Sequence, residues 1–275
     1  LHTGTQQDLG AETGGLPVAQ VSARAGEYLN WSADSSRLSW SHAATVFERE
    51  LNEAFSFLDG SPEELPEPVT EGIDLGFTEI ADKPDSIIAL VGGQIVTMRN
   101  ADETQEVISN GVVLVEHNRI VAVGSVDDVV IPSEATRVDV TGKTLIPGLI
   151  DGHAHGSQAN EEIIPQQNWK NLSSLAFGVT TIHDPSNDSS EIFAASEMQR
   201  NGQILGPRIF STGTIVYGAN SPTAHARIDS YDDAFFHLQR LKDMGAVSVK
   251  SYNQPRREQR QQVLKAARDL ELMVV

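Results

Sequence analysis

The chain has 275 residues, with 38 acidic against 20 basic side chains, a formal net charge of −18 and no cysteine. This balance disfavours nucleic acid as a partner, because phosphate binding rests on cationic side chains, and only Arg256, Arg257 and Arg260 form a basic cluster. The lack of cysteine excludes disulfides and thiolate metal sites, and no apolar run reaches the roughly 18 residues of a transmembrane helix.

The length allows one to three domains. The chain starts at Leu1 rather than Met and stops at Val274-Val275 inside an apolar run, so it is expected to be an internal piece of a longer protein. Residues 1–25 show no clear period. At 27–41 two short aromatic and aliphatic segments flank Ser32-Ala33-Asp34-Ser35-Ser36, which predicts a β-hairpin. Residues 60–85 combine Pro62, Pro66, Pro68 and Pro84 with many acids, the composition of a linker. From 86 to 144, strands are predicted at 87–91, 94–98, 111–116, 119–123 and 136–140. Turn signals separate them at Gly92-Gly93, 100–103, Asn118 and Gly142, and a small antiparallel β domain is expected.

After residue 144 the pattern changes to strand–helix alternation. Strands are predicted at 144–150, 179–183, 208–213, 247–251 and 272–275. Between them lie apolar stripes through Trp169, Leu172, Leu175 and Ala176, through Ile192, Ala195 and Met198, through Phe235, Leu238 and Leu241, and through Val263, Ala266, Ala267 and Leu270. Glycines 178, 202 and 245 follow three of these stripes as helix stops. Repeated βα units imply a parallel sheet. Periodicity leaves open whether it is doubly wound or a barrel, and neither usual phosphate-cradling glycine motif is present to favour a nucleotide fold.

The strand ends hold the candidate chemistry. Leu145 to His155 reads as an apolar strand, then Asp151-Gly152, then His153 and His155. In extended backbone, residues two apart point to one side, so both imidazoles can meet one ion of the zinc type. The plain alternative is two solvated loop histidines. The second predicted strand ends in His183 and Asp184, either ligand or substrate contacts or, with Pro185, Asn187 and Asp188, turn and cap chemistry. Tyr217 and His225 lie in the loop after the third strand as candidate substrate contacts. Lys250 ends the fourth strand; most strand lysines are solvated edge residues.

Residues 142–156, GKTLIPGLIDGHAHG, resemble the first barrel strand of the metal-dependent amidohydrolase superfamily, in imidazolonepropionase-like and prolidase-like form. The segments at 89–98 and 110–124 resemble the strands of that family's small β-sandwich, and the hairpin at 27–41 resembles a blade of a TolB-like β-propeller. The resemblance implies an α/β plus β architecture. A propeller segment at 1–59 and a linker at 60–85 precede a β-sandwich at 86–144, and the first half of a (β/α)₈ barrel follows at 145–275. It implies hydrolysis of a carbon–nitrogen bond in an amide, cyclic amide or dipeptide-like substrate, with a small molecule or short peptide as partner. It also implies one or two divalent ions, zinc by default, bound by His153, His155 and a carboxylated, bridging Lys250. The further histidines and the general-base aspartate are expected beyond Val275, so this piece alone is expected to be inactive. The TolB-like likeness implies a periplasmic or secreted protein. The alternative from another functional class is a propeller–barrel scaffold that has lost its chemistry.

Overall fold

The computed structural model describes residues 15–99, 106–221 and 225–275. The turn expected at 100–103 and part of the loop after the third strand, 222–224, lie outside them. Contacts divide the chain into two compact units, one of Leu1–Thr78 with Ile215–Val275 and one of Glu79–Thr214.

The first unit opens with a four-stranded antiparallel sheet in the order β1 (Glu27–Trp31), β2 (Arg37–His42), β3 (Thr45–Glu50), β4 (Ile73–Asp74). Its first turn is closed by Asp34, whose carboxylate accepts from the hydroxyls of Ser32 and Ser36 and from the Ser36 amide. The Ser32 hydrogen bond, then those of Ser36, hold its pKa down at about 2. Alternation buries Leu38, Trp40 and His42 on β2, and Trp40 stacks on Phe47 of β3 with centroids 5.9 Å apart. The aromatic residues of β1 stay outside this core, since Tyr28, Leu29 and Trp31 are exposed. Residues after β3 are not a free tether. The buried Arg49 guanidinium donates to the carbonyls of Glu53 and Pro66, at 2.8 and 2.7 Å, and to that of Glu67.

In the second unit, β5 (Ile87–Val96) pairs antiparallel with β6 (Val107–Glu116), which pairs antiparallel with β7 (Arg119–Ser125). β8 (Thr136–Asp139) and β9 (Thr144–Leu145) both run parallel to β5. The sheet is therefore mixed, where an antiparallel one was expected. The two strands expected at 87–91 and 94–98 are one bent strand. Gly92 has φ +92° and the ladder slips beside it, so the Gly-Gly pair makes a bulge rather than a turn.

A three-stranded parallel sheet follows in the order β10 (Leu149–Asp151), β11 (Val179–Asp184), β12 (Arg208–Ser211), with α1 (Trp169–Ala176) and α2 (Ser189–Asn201) as the intervening helices. Asn168 caps α1, Asp188 caps α2, and Gly202 stops α2 with φ +92°. Ile182, Ile192, Phe193, Ala195 and Ile209 form the core here. The apolar segment 144–150, expected as one buried strand, is broken at Ile146-Pro147-Gly148 into β9 and β10. Among the described residues β10 pairs with β11 alone; Ile150 is 72 % exposed, and Trp169 on α1 is 80 % exposed. An edge strand covered on one flank cannot bury both faces of an apolar run.

The rest of the first unit holds β13 (Val216–Tyr217) parallel to β14 (Ala226–Arg227), then α3 (Tyr231–Asp243), β15 (Ser248–Val249), α4 (Arg257–Asp269) and β16 (Met273–Val274), with β15 parallel to β16. α3 starts in a capping box between Ser230 and Asp233. Ala234, Leu238 and Leu241 of α3 and Val263, Ala266 and Ala267 of α4 are buried, at the helical spacing the sequence displays. Asp243 at the end of α3 accepts from Arg24 and, at 2.7 Å, from Gln239, and lies 3.5 Å from His42.

Two predictions follow from this packing. A Cβ on Gly148 would lie 2.1 Å from Thr180 Oγ1, so Gly148→Ala should cost about 1–3 kcal/mol of stability by overpacking, read as a lower urea midpoint. Burial holds the pKa of His42 below its ordinary 6.5, outweighing the pull of Asp243, and burial also lowers that of His237, aided by Arg240. A lowered folded-state pKa means that the unfolded chain binds protons more readily, so stability is present above 6.5 and lost as pH falls through the histidine range. Urea midpoints should drop between about pH 7.5 and 5.5, and the double variant His42→Gln, His237→Gln should flatten that drop.

Candidate functional site

The His-x-His segment continues from the end of β10. Asp151 closes it locally, its carboxylate accepting from the His153 amide at 3.0 Å, the two-residue reach of an Asx turn. Non-locally, the Ala154 amide donates to the His183 carbonyl at 3.0 Å, so the ladder toward β11 persists past the strand. The two rings lie edge to face with centroids 5.0 Å apart. Spacing predicts that His153 and His155 share one side, and the structure brings them together.

Behind them sits Asp184, the last residue of β11 and only 1 % exposed. Its Oδ1 lies 3.1 Å from His155 Nδ1 and accepts from the Ser186 amide at 3.0 Å; its Oδ2 accepts from Asn187 Nδ2 at 2.8 Å. Asn187 Nδ2 also donates to the Gly156 carbonyl at 2.8 Å. The cap of α2 is Asp188, not Asp184, which leaves Asp184 to the histidine loop. Farther on, Asn168 Nδ2 holds the Ser157 carbonyl, and Asn171 donates to Gln158 at 3.0 Å in a buried amide pair. His183 is half-buried on β11, and its carbonyl anchors the His-x-His backbone.

The other unit gathers the remaining candidates. Lys250 directly follows β15, and its carbonyl accepts from the Val216 amide at 3.2 Å. Its Nζ lies 5.4 Å from the centroid of the Tyr252 ring, within cation–π range. Tyr217 meets Tyr252 edge-on at 5.5 Å and His225 edge-on at 5.9 Å. The buried Gln254 clamps this strand end, accepting from the Gly218 amide and donating to the Val216 carbonyl, both at 2.9 Å. Lys250, Tyr217 and His225 thus share one cluster, to which the structure adds Tyr252.

Two imidazoles with one ring nitrogen committed to a carboxylate suit a borderline divalent ion. They supply two of the three or four protein ligands such a site needs, and among the described residues no group of three His, Asp or Glu side chains is arranged to hold a metal. Asp184 is a candidate in the sequence as a ligand, substrate contact or cap, but its place on His155, and any part for Asn187, are not legible there. Their signal, Asp-Pro-Ser-Asn after a β-branched run, is indistinguishable from turn and cap chemistry.

No family model matches the chain. It is 43 % identical over 82 residues to an imidazolonepropionase from Fusobacterium nucleatum subsp. nucleatum, covering 25 % of this chain and 20 % of that protein. Among solved structures it is similar to a Bifidobacterium longum protein assigned to the prolidases (23 % identity, TM-score 0.56, 69 % of this chain and 49 % of that one). It is also similar to a Xaa-Pro dipeptidase with methionine in its active site (17 %, 0.53, 69 % and 56 %) and to a bottromycin amidohydrolase (18 %, 0.54, 70 % and 39 %). These likenesses show that the chain is a mixed α/β protein with the fold of amidohydrolases. The chain spans about half the length of the first two of these structures and a fifth of the curated relative.

Proposed function

We propose that the chain is part of a metal-dependent hydrolase of carbon–nitrogen bonds, acting on an amide, cyclic amide or dipeptide-like substrate. The observation that carries this is the His153–His155 pair at the mouth of a parallel strand, with a buried carboxylate on one imidazole, in a chain similar to an imidazolonepropionase and to prolidase structures. The reading keeps the division expected from the sequence: a TolB-like propeller segment, a β-sandwich and a (β/α)₈ barrel half.

His153 and His155 would hold the ion through their free ring nitrogens, with Lys250, as a carbamate, adding an anionic oxygen. When bound, the ion, zinc by default, supplies Lewis acidity toward the scissile carbonyl and lowers the pKa of water toward neutrality. The protein's own part is to orient and to exclude. Asp151 holds the turn that presents His153, and Asp184 holds the ring of His155. Tyr217, His225 and His183 are assigned to substrate contact. Tyr252 lies beside Lys250, its ring centroid 5.4 Å from Nζ.

The test is metal analysis of the purified full-length protein with assay on dipeptides and cyclic amides. Wild type should carry stoichiometric divalent metal and hydrolyse a member of one class. His153→Ala and Lys250→Ala should each lower metal content, and His153→Ala should lower turnover by about 10²-fold or more, at least the loss seen when a ligand's outer partner is removed. Unchanged metal content in both variants would sink the site assignment.

A further inference from the structure

We infer that Asp184 and Asn187 form a positioning pair that sets the tautomer and orientation of His155, so that Nδ1–H faces the protein and Nε2 faces the site. This deepens the hydrolase reading and rests on His155 being a ligand. His155 is half-exposed, and Asp184 opposite its Nδ1 is almost fully buried. A buried carboxylate is costly unless donors reach both of its oxygens. Asp184 has the Ser186 amide and Asn187 Nδ2, and the remaining contact of Oδ1 is to the imidazole. Since a carboxylate only accepts, the ring nitrogen facing it must carry the proton. In a neutral ring the lone pair is then on Nε2.

Asn187 holds the same histidine from its other side. Its amide spans Asp184 Oδ2 and the Gly156 carbonyl, both at 2.8 Å, and its own carbonyl oxygen accepts from the Asp188 amide. The amide therefore cannot flip without placing donor against donor. The ring of His155 and the backbone that follows it are both referred to one carboxylate at the end of the neighbouring strand. Among the described residues the His153 amide is met by the local Asp151 turn, whereas the ring of His155 is met by a carboxylate from the neighbouring strand.

The tautomer can be read without metal, from long-range ¹H–¹⁵N correlation spectra of metal-free full-length protein at about pH 8. Assignment would use a His155→Gln variant. The expected result is an Nδ1–H tautomer for His155, shifted toward Nε2–H in Asp184→Ala and kept in Asn187→Ala. Calorimetric Co²⁺ titration should show affinity reduced about 10–100-fold in Asp184→Ala, and reduced by less in Asn187→Ala, which removes the clamp on Gly156 and one donor to Asp184 but leaves the carboxylate against the ring. An Nε2–H tautomer in wild type overturns the inference, and that measurement stands if Asp184→Ala does not fold. A folded Asp184→Ala that keeps the Nδ1–H tautomer, or that binds Co²⁺ as wild type does, also overturns it. Wild-type protein that binds no Co²⁺ would instead refute the metal-dependent reading, with the tautomer still deciding what Asp184 does.

Discussion

The carboxylate of Asp184 is where the local order of the second unit converges. Leaving a carboxylate buried and unpaired costs several kcal/mol, so its position depends on what surrounds it. Its side chain collects the Ser186 amide, the Asn187 amide group and the His155 ring. Its carbonyl accepts from the Thr212 amide at 3.1 Å and the Ser211 hydroxyl at 2.7 Å at the end of β12. One residue thereby ties together the segments leaving β10, β11 and β12. The same residue that ties these strand ends together also fixes the position of the His155 ring.

The first unit uses acidic residues in a related way. Asp243, at the C-terminal end of α3, joins Arg24 and His42 of the N-terminal segment to Gln239 on its own helix, and Arg240 reaches Glu27 at 3.5 Å. An acidic residue at a helix C-terminus sits against the macrodipole; the Arg24 contact offsets this. Near Lys250, amides rather than charges fix the strand end, through Gln254 and Gln259, whose Nε2 reaches the Gly218 carbonyl at 2.6 Å. The strand ends that carry candidate chemistry are held by neutral amides near Lys250 and by a hydrogen-bonded carboxylate near His155.

Much of this is legible along the chain wherever the cause is local. The turn at Asp34 is readable because its acceptors and donors lie within two residues, and the α3 stripe because Phe235, Leu238 and Leu241 recur at helical spacing, of which Leu238 and Leu241 are buried and Phe235 half-buried. The His-x-His pair is readable as a pair because its two residues are two apart, although a turn at Gly152-His153 rather than extended backbone brings the rings together. The bulge at Gly92-Gly93 is a different case. A Gly-Gly pair serves a turn or a bulge equally, and only the partner strand decides which. Trp169 and Ile150 also mislead, because an apolar stripe shows which face is suited to burial but not whether anything lies against it.

The sequence by itself determined the alternation of strands and helices after residue 144, the glycine helix stops, the excess of acidic side chains and the identity of the two histidines, because these follow from residue type and short-range spacing. The tertiary structure decided the direction of β8 and β9 against β5, the exposure of β10, and the gathering of Tyr217, His225, Lys250 and Tyr252. It also decided which acid serves the histidines. Asp151, Asp184 and Asp188 all stand in turn-forming surroundings. One turns the loop, one caps a helix and one faces an imidazole, because parallel pairing brings the end of β11, 29 residues along the chain from His155, beside it. Contacts of that separation depend on chain crossover and sheet register, which no local pattern encodes.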